Sequence, residues 1–327
     1  MVSLPKVWKQ TSNLPVHLAA SSLAARAVLL FDIDGVIRDV AASYRRAIVE
    51  TVHQFSGWRP EPAQIDALKS EGCWNNDWEA SLELLRRHRL AGGPTQGEQS
   101  AGEPFAGKRS SGDLIAMGSA GASPGRTGSA SHDLADLPNF DTVVSAFCGH
   151  YFGGDPEGDP TLWQGFIGQE PLLVGPQFFT DLSAAGILWG FVSGAEPPSV
   201  RYVLQRRLGL ENPPFIAMGD APDKPDPTGV LRLASELLAA KGTSLGAEAP
   251  PVVYLGDTVA DVQTVLRARQ RLPDQRFLSL AVSPPHLHGP EQQPRRSAYE
   301  QQLLAAGADR ILSSSDQAGQ VLEALLA

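Results

Sequence analysis

Apolar residues run without a break from Ala27 to Phe31 and resume at Ile33, in the stretch AVLLFDIDGVIRD (27–39). A short continuous run of this kind predicts a strand of a parallel sheet, covered on both faces. Apolar positions then recur at helical spacing over 41–55, 62–69 and 76–90. From Ala91 to Ser131 the chain turns to Gly, Ala and Ser, as in AGGPTQGEQSAG and GSAGASPGRTGSAS. Such a segment buries too little apolar surface to offset its ordering entropy, so a flexible insertion is expected, with one weak turn at DLIAM. Helical spacing returns over 133–150.

Beyond residue 171 the pattern alternates. A helix over 171–185 precedes the strand GILWGFVS, a helix over 197–209 the strand FIAMG, and a helix over 228–241 the strand PVVYLGD. A helix over 258–270, the strands RFLSLAV and RILSS, and a helix over 317–326 complete the chain. Strands alternating with helices imply right-handed βαβ units, hence an α/β fold with a Rossmann-like parallel sheet core and helices on both faces. Mostly helical sequence separates the first strand from the second, which reads as an all-α cap domain inserted after the first strand. The expected organisation is an N-terminal extension at 1–26, an α/β core from 27–40 and 171–327, and a helical cap at 41–170 carrying the flexible segment 91–131.

Composition narrows the class. The chain has 327 residues, 42% hydrophobic and 19% charged, as in ordinary globular proteins. Its net charge of -9 argues against broad nucleic-acid binding, which needs a basic face. An anionic substrate must then be held by a local device, either a metal ion or a few aimed donors. Cys73 and Cys148 are too few for a disulfide framework, which points to a reducing compartment. No apolar run approaches the roughly 18 residues of a membrane span. The opening MVSLPKVWKQ lacks the layout of a secretory signal. The expectation is a cytoplasmic monomer or homodimer that engages neither membrane nor nucleic acid.

In an open parallel sheet, ligands bind beyond the carboxyl ends of the strands. Asp32 and Asp34 follow the first strand, with Gly35 where the chain must turn sharply. Ser193 and Gly194 follow GILWGFV, Lys224 stands in DKPDP after FIAMG, and Asp257 and Asp261 follow PVVYLG. Carboxylates grouped in this way cannot share a site unless a cation and an ammonium compensate them. Mg²⁺ suits one or two carboxylates plus a substrate phosphate. Each feature alone has a plain alternative: Asp257-Thr258 reads as a helix N-cap, Ser193 as a turn, Lys224 as surface. Four in order at successive strand ends point to a phosphoryl site built around a metal.

FDIDGV, the serine of FVSG, the lysine of DKPDP and the GDTVAD segment resemble, in order, the four motifs of the haloacid dehalogenase (HAD) superfamily of phosphotransferases. The resemblance covers 27–40 and 171–313. It implies that Asp32 is the nucleophile, forming an aspartyl-phosphate. Asp34 would protonate the leaving oxygen and then take a proton from the hydrolytic water. Ser193 and the neighbouring N–H of Gly194 would hold phosphoryl oxygens, while Lys224 neutralises charge in the transition state. Mg²⁺ would be bound by Asp32, the carbonyl of Asp34 and Asp257, with Asp261 acting through water. Dehalogenases of the family lack the second aspartate, whereas phosphatases and phosphomutases keep it. Where many relatives carry Gly-Arg after the serine, this chain has GAEPP, and the insertion at 91–131 has no counterpart.

The helical insertion resembles the cap of the phosphoglycolate-phosphatase and β-phosphoglucomutase branch, which would exclude water and choose the leaving group. The activity implied is Mg-dependent hydrolysis of a small phosphorylated metabolite. The alternatives are a phosphomutase of the β-phosphoglucomutase type and a non-catalytic binding protein of the same fold. GCWNNDWEA (72–80) offers Asn75 and Asn76 as substrate contacts. The plainer reading is a helix N-cap, with Trp74 and Trp78 packing one turn apart. That segment is similar to one in a little-characterised cyanobacterial branch of the superfamily. Arg38 and Asp39 read as hinge residues, with Arg38 also a candidate for substrate contact. Three look-alikes are set aside: GEPFAGKR (102–109) ends in Arg109 and follows no strand, GASPG (121–125) also lacks a strand, and His286 and His288 lack further metal ligands.

Overall fold

The computed structural model describes residues 24–71, 74, 76–93 and 137–326. Six strands are β1 (Ala27–Phe31), β2 (Ile187–Val192), β3 (Phe215–Ile216), β4 (Val252–Gly256), β5 (Phe277–Val282) and β6 (Arg310–Leu312). They form one parallel sheet in the order β3-β2-β1-β4-β5-β6, so the expected α/β architecture is found. The apolar run at 27–31 becomes a central strand, paired on both edges and wholly buried. Its alternate residues enter separate cores on the two faces of the sheet.

On one face, Leu29 and Phe31 join Trp189, Phe191 and Val253. Over them lie helices α5 (Pro176–Ala184), α6 (Pro197–Arg201) and α10 (Ala318–Leu326), through Phe179, Val200 and Leu322. On the other face, Val28 and Leu30 meet Tyr254 and the helices α7 (Thr228–Ala239) and α8 (Val259–Arg271), through Leu233, Leu237 and Val265. Phe179 is the hub of an aromatic cluster, its ring 4.9 Å from Trp189, 5.5 Å from Phe191 and 5.9 Å from Phe31.

The chain divides after Ser43 and again after Tyr151, and the residues between form a helical unit of their own. Its helices are α1 (Ala41–Ser56), α2 (Pro62–Ser70), α3 (Asp77–Leu90) and α4 (Phe140–Phe152), of which α1 and α4 cross the boundaries. Tyr44 stacks on Tyr151 at 4.7 Å, and Arg87 of α3 grips Glu71 after α2. The residues 152–170, expected in the cap, belong instead with the α/β unit. Trp163 lies 4.7 Å from Phe152 and 5.1 Å from Tyr202, and Arg207 donates to the Glu170 carbonyl at 2.8 Å. The expected flexible segment and the look-alikes GEPFAGKR and GASPG fall outside the described residues, apart from the segment's first three residues.

Several boundaries differ for local reasons. Strand β3 has only two residues, because the Asp220 carboxylate takes the Ala217 N–H at 2.9 Å and turns the chain away. Helix α5 begins at Pro176, which tolerates the first helical turn, and not at 171. Helix α4 begins at Phe140, where the Asn139 side chain accepts the Thr142 N–H, and not at 133. Helix α6 gives way after Arg201 to a wider π-helical stretch, Tyr202–Arg207. A helix not expected from the sequence, α9 (Gln293–Ala305), carries the chain from β5 to β6. Among the described residues, no helix is long and apolar enough to cross a membrane.

Truncating Phe179 to alanine should cost about 3–5 kcal/mol, since it empties the centre of the aromatic cluster. Denaturant unfolding followed by tryptophan fluorescence, with Trp189 as the reporter, measures it.

Candidate active site

Strands β1, β2 and β4 end within one residue of a common level. Phe31 closes β1 and pairs with Phe191 on one side and Leu255 on the other, each one residue before its own strand ends. The residues that follow, Asp32, Ser193 and Asp257, therefore leave the sheet side by side. The Asp32 N–H still donates to the Leu255 carbonyl at 2.9 Å, which fixes the first aspartate at the edge of the sheet. Gly35 then turns the chain at φ +75°, a conformation that disfavours any side chain. A Cβ there would also stand 2.1 Å from Asp257 Oδ2, so glycine is required for space as well.

Asp32, Asp257 and Asp261 are all buried, and each offers a carboxylate oxygen within 4.8 Å of the others. One ammonium enters this group. Lys224 Nζ lies 2.8 Å from Asp32 Oδ2 and 2.6 Å from Asp261 Oδ1. Asp261 is fully committed: its other oxygen accepts the Thr258 N–H at 2.9 Å and the Thr258 hydroxyl at 2.6 Å, a reciprocal cap on α8. Asp32 Oδ1 accepts the Ile33 N–H at 2.8 Å. The Asp257 carboxylate takes no hydrogen bond among the described residues, although its backbone carbonyl accepts from the Tyr299 hydroxyl at 2.9 Å.

The electrostatics follow from three buried carboxylates facing one cation. Burial, with Asp261 and Asp34 nearby, holds the Asp32 carboxyl up at about 6 against the pull of Lys224. Burial, with the charges of Asp261, Asp32 and Asp34 nearby, pushes Asp257 well above the usual carboxylate range. Burial also works against ionised Asp261, but Lys224 and Thr258 outweigh it and hold that carboxyl below the range. Burial works against charged Lys224 too, yet the charges of Asp261 and Asp32 keep it firmly protonated.

A hard divalent cation fits these donors. Asp257 is buried with no hydrogen-bond donor among the described residues, and the charge left over is negative. Asp32 takes a single donor on each oxygen and Asp257 none among the described residues, so both keep lone pairs for such an ion. Asp261, expected to act through water, has both oxygens engaged by Lys224 and Thr258. Asp34 stands apart from the cluster, its carboxylate a quarter exposed and bonded to Arg38 Nε at 2.8 Å.

Of the other expected site residues, Ser193 is buried at the end of β2 and accepts the Ala195 N–H at 3.3 Å. Gly194 is exposed, with open space where a Cβ would be. Arg38, a candidate for substrate contact, is wholly buried among Asp34, Glu170 and Ser199, so it faces protein rather than solvent. Asn76 caps α3, its side-chain oxygen accepting the N–H groups of Trp78 and Glu79 at 2.9 and 3.2 Å. Trp74 precedes that helix and bonds Glu71, while Trp78 meets Phe140 edge-on, so the two tryptophans do not share a helical face. Asn75 lies outside the described residues.

Tyr254 was not anticipated. Its single hydroxyl proton goes to the Val192 carbonyl at 2.7 Å, and its oxygen accepts from Lys224 at 3.3 Å. The signal was present in VVYLG: a tyrosine inside an aliphatic buried strand needs a partner for its hydroxyl.

No family model matches the sequence. A stretch of 57 residues is 42% identical to an imidazoleglycerol-phosphate dehydratase of Phytophthora nicotianae, covering 17% of this chain and only 12% of that one. Solved structures align along nearly the whole chain. A phosphonoacetaldehyde hydrolase-like protein of Oleispira antarctica superposes with a TM-score of 0.54 at 16% identity, over 94% of this chain and 96% of that one. A protein of Thermotoga maritima described as a β-phosphoglucomutase gives 0.51 at 15% identity, over 92% and 99%. The chain has the HAD fold. Within that fold, the four strand ends singled out in the sequence are the ones that converge at Lys224 and the carboxylates, with Ser193 beside them.

In the ion-free protein, ionising Asp32 opposes folding, because its carboxyl titrates at about 6 when folded and near 3.8 otherwise. The penalty is absent below about pH 4 and grows as the pH rises through about 6, on the order of 1–3 kcal/mol. Asp32→Asn should therefore raise the denaturation midpoint in chelator at about pH 8 but not at about pH 4. Magnesium should stabilise the unsubstituted protein more than the variant.

Proposed function

We propose that the chain is a phosphatase that hydrolyses a small phosphorylated metabolite through an aspartyl-phosphate on Asp32. The observation that carries this reading is the setting of Asp32: a buried carboxylate at a strand exit, 2.8 Å from a lysine ammonium, with a second, partly exposed carboxylate two residues on. In the first step, an Asp32 carboxylate oxygen forms a bond to phosphorus and the ester P–O bond breaks. Protonated Asp34 gives its proton to the departing alkoxide oxygen, which leaves as an alcohol. In the second step, ionised Asp34 takes a proton from water, the water oxygen bonds to phosphorus, and the bond from phosphorus to Asp32 breaks. Inorganic phosphate leaves and both aspartates return to their starting states.

Lys224 places positive charge beside the transferring group, and its position costs no reorganisation because Asp261 and Tyr254 already hold it. The Ser193 hydroxyl and the Gly194 N–H are the donors for the phosphoryl oxygens. Asp32, Asp257 and the backbone carbonyl of Asp34 would hold magnesium, which would neutralise the carboxylates and the phosphoryl oxygens.

The test is phosphate release from a panel of phosphorylated metabolites, with magnesium and with chelator. Release should require magnesium and fall by at least about a thousandfold in Asp32→Asn, which removes the nucleophile. Release that persists in the variant contradicts the mechanism. A hexose 1-phosphate with its bisphosphate belongs on the panel, since one protein of this fold is described as a β-phosphoglucomutase. Isomerisation without phosphate release would make the chain a mutase.

A further inference from the structure

Among the described residues, Arg38 is the bulkiest side chain with no exposure at all. Burying a guanidinium costs several kcal/mol unless every edge is met. Here each is. Nε donates to Asp34 Oδ1 at 2.8 Å, Nη1 to Glu170 Oε2 at 2.9 Å and Nη2 to Ser199 Oγ at 2.7 Å. Glu170 is itself buried, and its other oxygen accepts from Ser43 at 2.5 Å.

The backbone sets this arrangement. Gly35 donates to the Arg38 carbonyl at 2.8 Å and Arg38 to the Ile33 carbonyl at 3.1 Å, closing the loop that holds Asp34. Asp39 then donates to Pro171 at 2.9 Å, and Leu173 to Ile37 at 2.8 Å, so the segment pairs antiparallel with 171–173 and brings Arg38 against Glu170. A side chain pinned at three points cannot turn to a substrate. It can fix what it touches, and among the described residues the catalytic candidate it touches is Asp34.

We propose that Arg38, locked by Glu170 and Ser199, is a positioning residue for Asp34: it holds Oδ1 and leaves Oδ2 as the oxygen that exchanges the proton with the leaving group and the water. Asp34 is 28% exposed, and among the described residues Oδ2 takes no hydrogen bond. The inference rests on the phosphatase reading and adds to it the residue that aims the acid. Bonding through one nitrogen, and not as a two-pronged fork, is what keeps Oδ2 available.

The experiment compares two substrates that differ in their need for a proton. The alkoxide leaving from β-glycerophosphate requires protonation, whereas p-nitrophenolate departs without it. Arg38→Lys keeps the charge but cannot span Asp34 and Glu170 together. The double variant Arg38→Met, Glu170→Gln leaves no unpaired buried charge and guards against a folding failure. In both, kcat for β-glycerophosphate should fall by about 30–100-fold while kcat for p-nitrophenyl phosphate falls by less than about threefold, with each KM little changed. Glu170→Gln alone, which keeps an acceptor for Nη1, should lose less on β-glycerophosphate than either. Equal losses on the two substrates, or none on either, would overturn the inference while leaving the nucleophile's role intact. Failure of the unsubstituted protein to release phosphate from either substrate would sink the phosphatase reading, and this inference with it.

Discussion

The ammonium of Lys224, held between the buried carboxylates of Asp32 and Asp261, is the contact on which the rest of the site depends. Without it, three carboxylates would face one another away from water, a state that like charges avoid by taking up protons. With it, one remains in deficit. That is Asp257, whose carboxylate takes no hydrogen bond among the described residues and is pushed well above the usual carboxylate range by its burial. A proton on Asp257 or a further cation relieves that deficit, and the grouped oxygens of Asp32 and Asp257 fit a divalent ion.

Keeping Lys224 in place draws on distant parts of the α/β unit. Tyr254 reaches from the middle of β4 to the Val192 carbonyl on β2 and receives the lysine on the same oxygen. Thr258 at the start of α8 locks Asp261 by a reciprocal cap, so the helix terminus and the acidic cluster share one carboxylate. The register of β2, β1 and β4 sets all of these groups at one height. The two apolar cores hold that register. Slipping a strand by one residue would exchange the side chains of its two faces.

Much of this was legible in the sequence because it rests on short-range patterns. The apolar run at 27–31, the alternation after 171 and the carboxylates, serine and lysine at strand exits each follow from local chemistry. Helix α9 was not legible, because it buries only Leu303 among its residues, which leaves little periodic signal. The short β3 depends on a side-chain bond from Asp220 that no apolar pattern encodes. Asn76 read more plainly as a helix cap than as a ligand contact, and the cap is what it forms. Arg38 was harder still: an arginine beside an acidic loop reads as exposed, and its burial rests on Glu170, which lies 132 positions further on.

Chemical trapping of the intermediate addresses the central claim most directly. The protein would be mixed with its best substrate and magnesium, quenched in acid during turnover and treated with borohydride, which reduces an acyl phosphate to an alcohol. Peptide mass spectrometry should then find homoserine in place of Asp32, only when substrate was present. Turnover with an unaltered Asp32, or reduction at a different residue, would contradict the account.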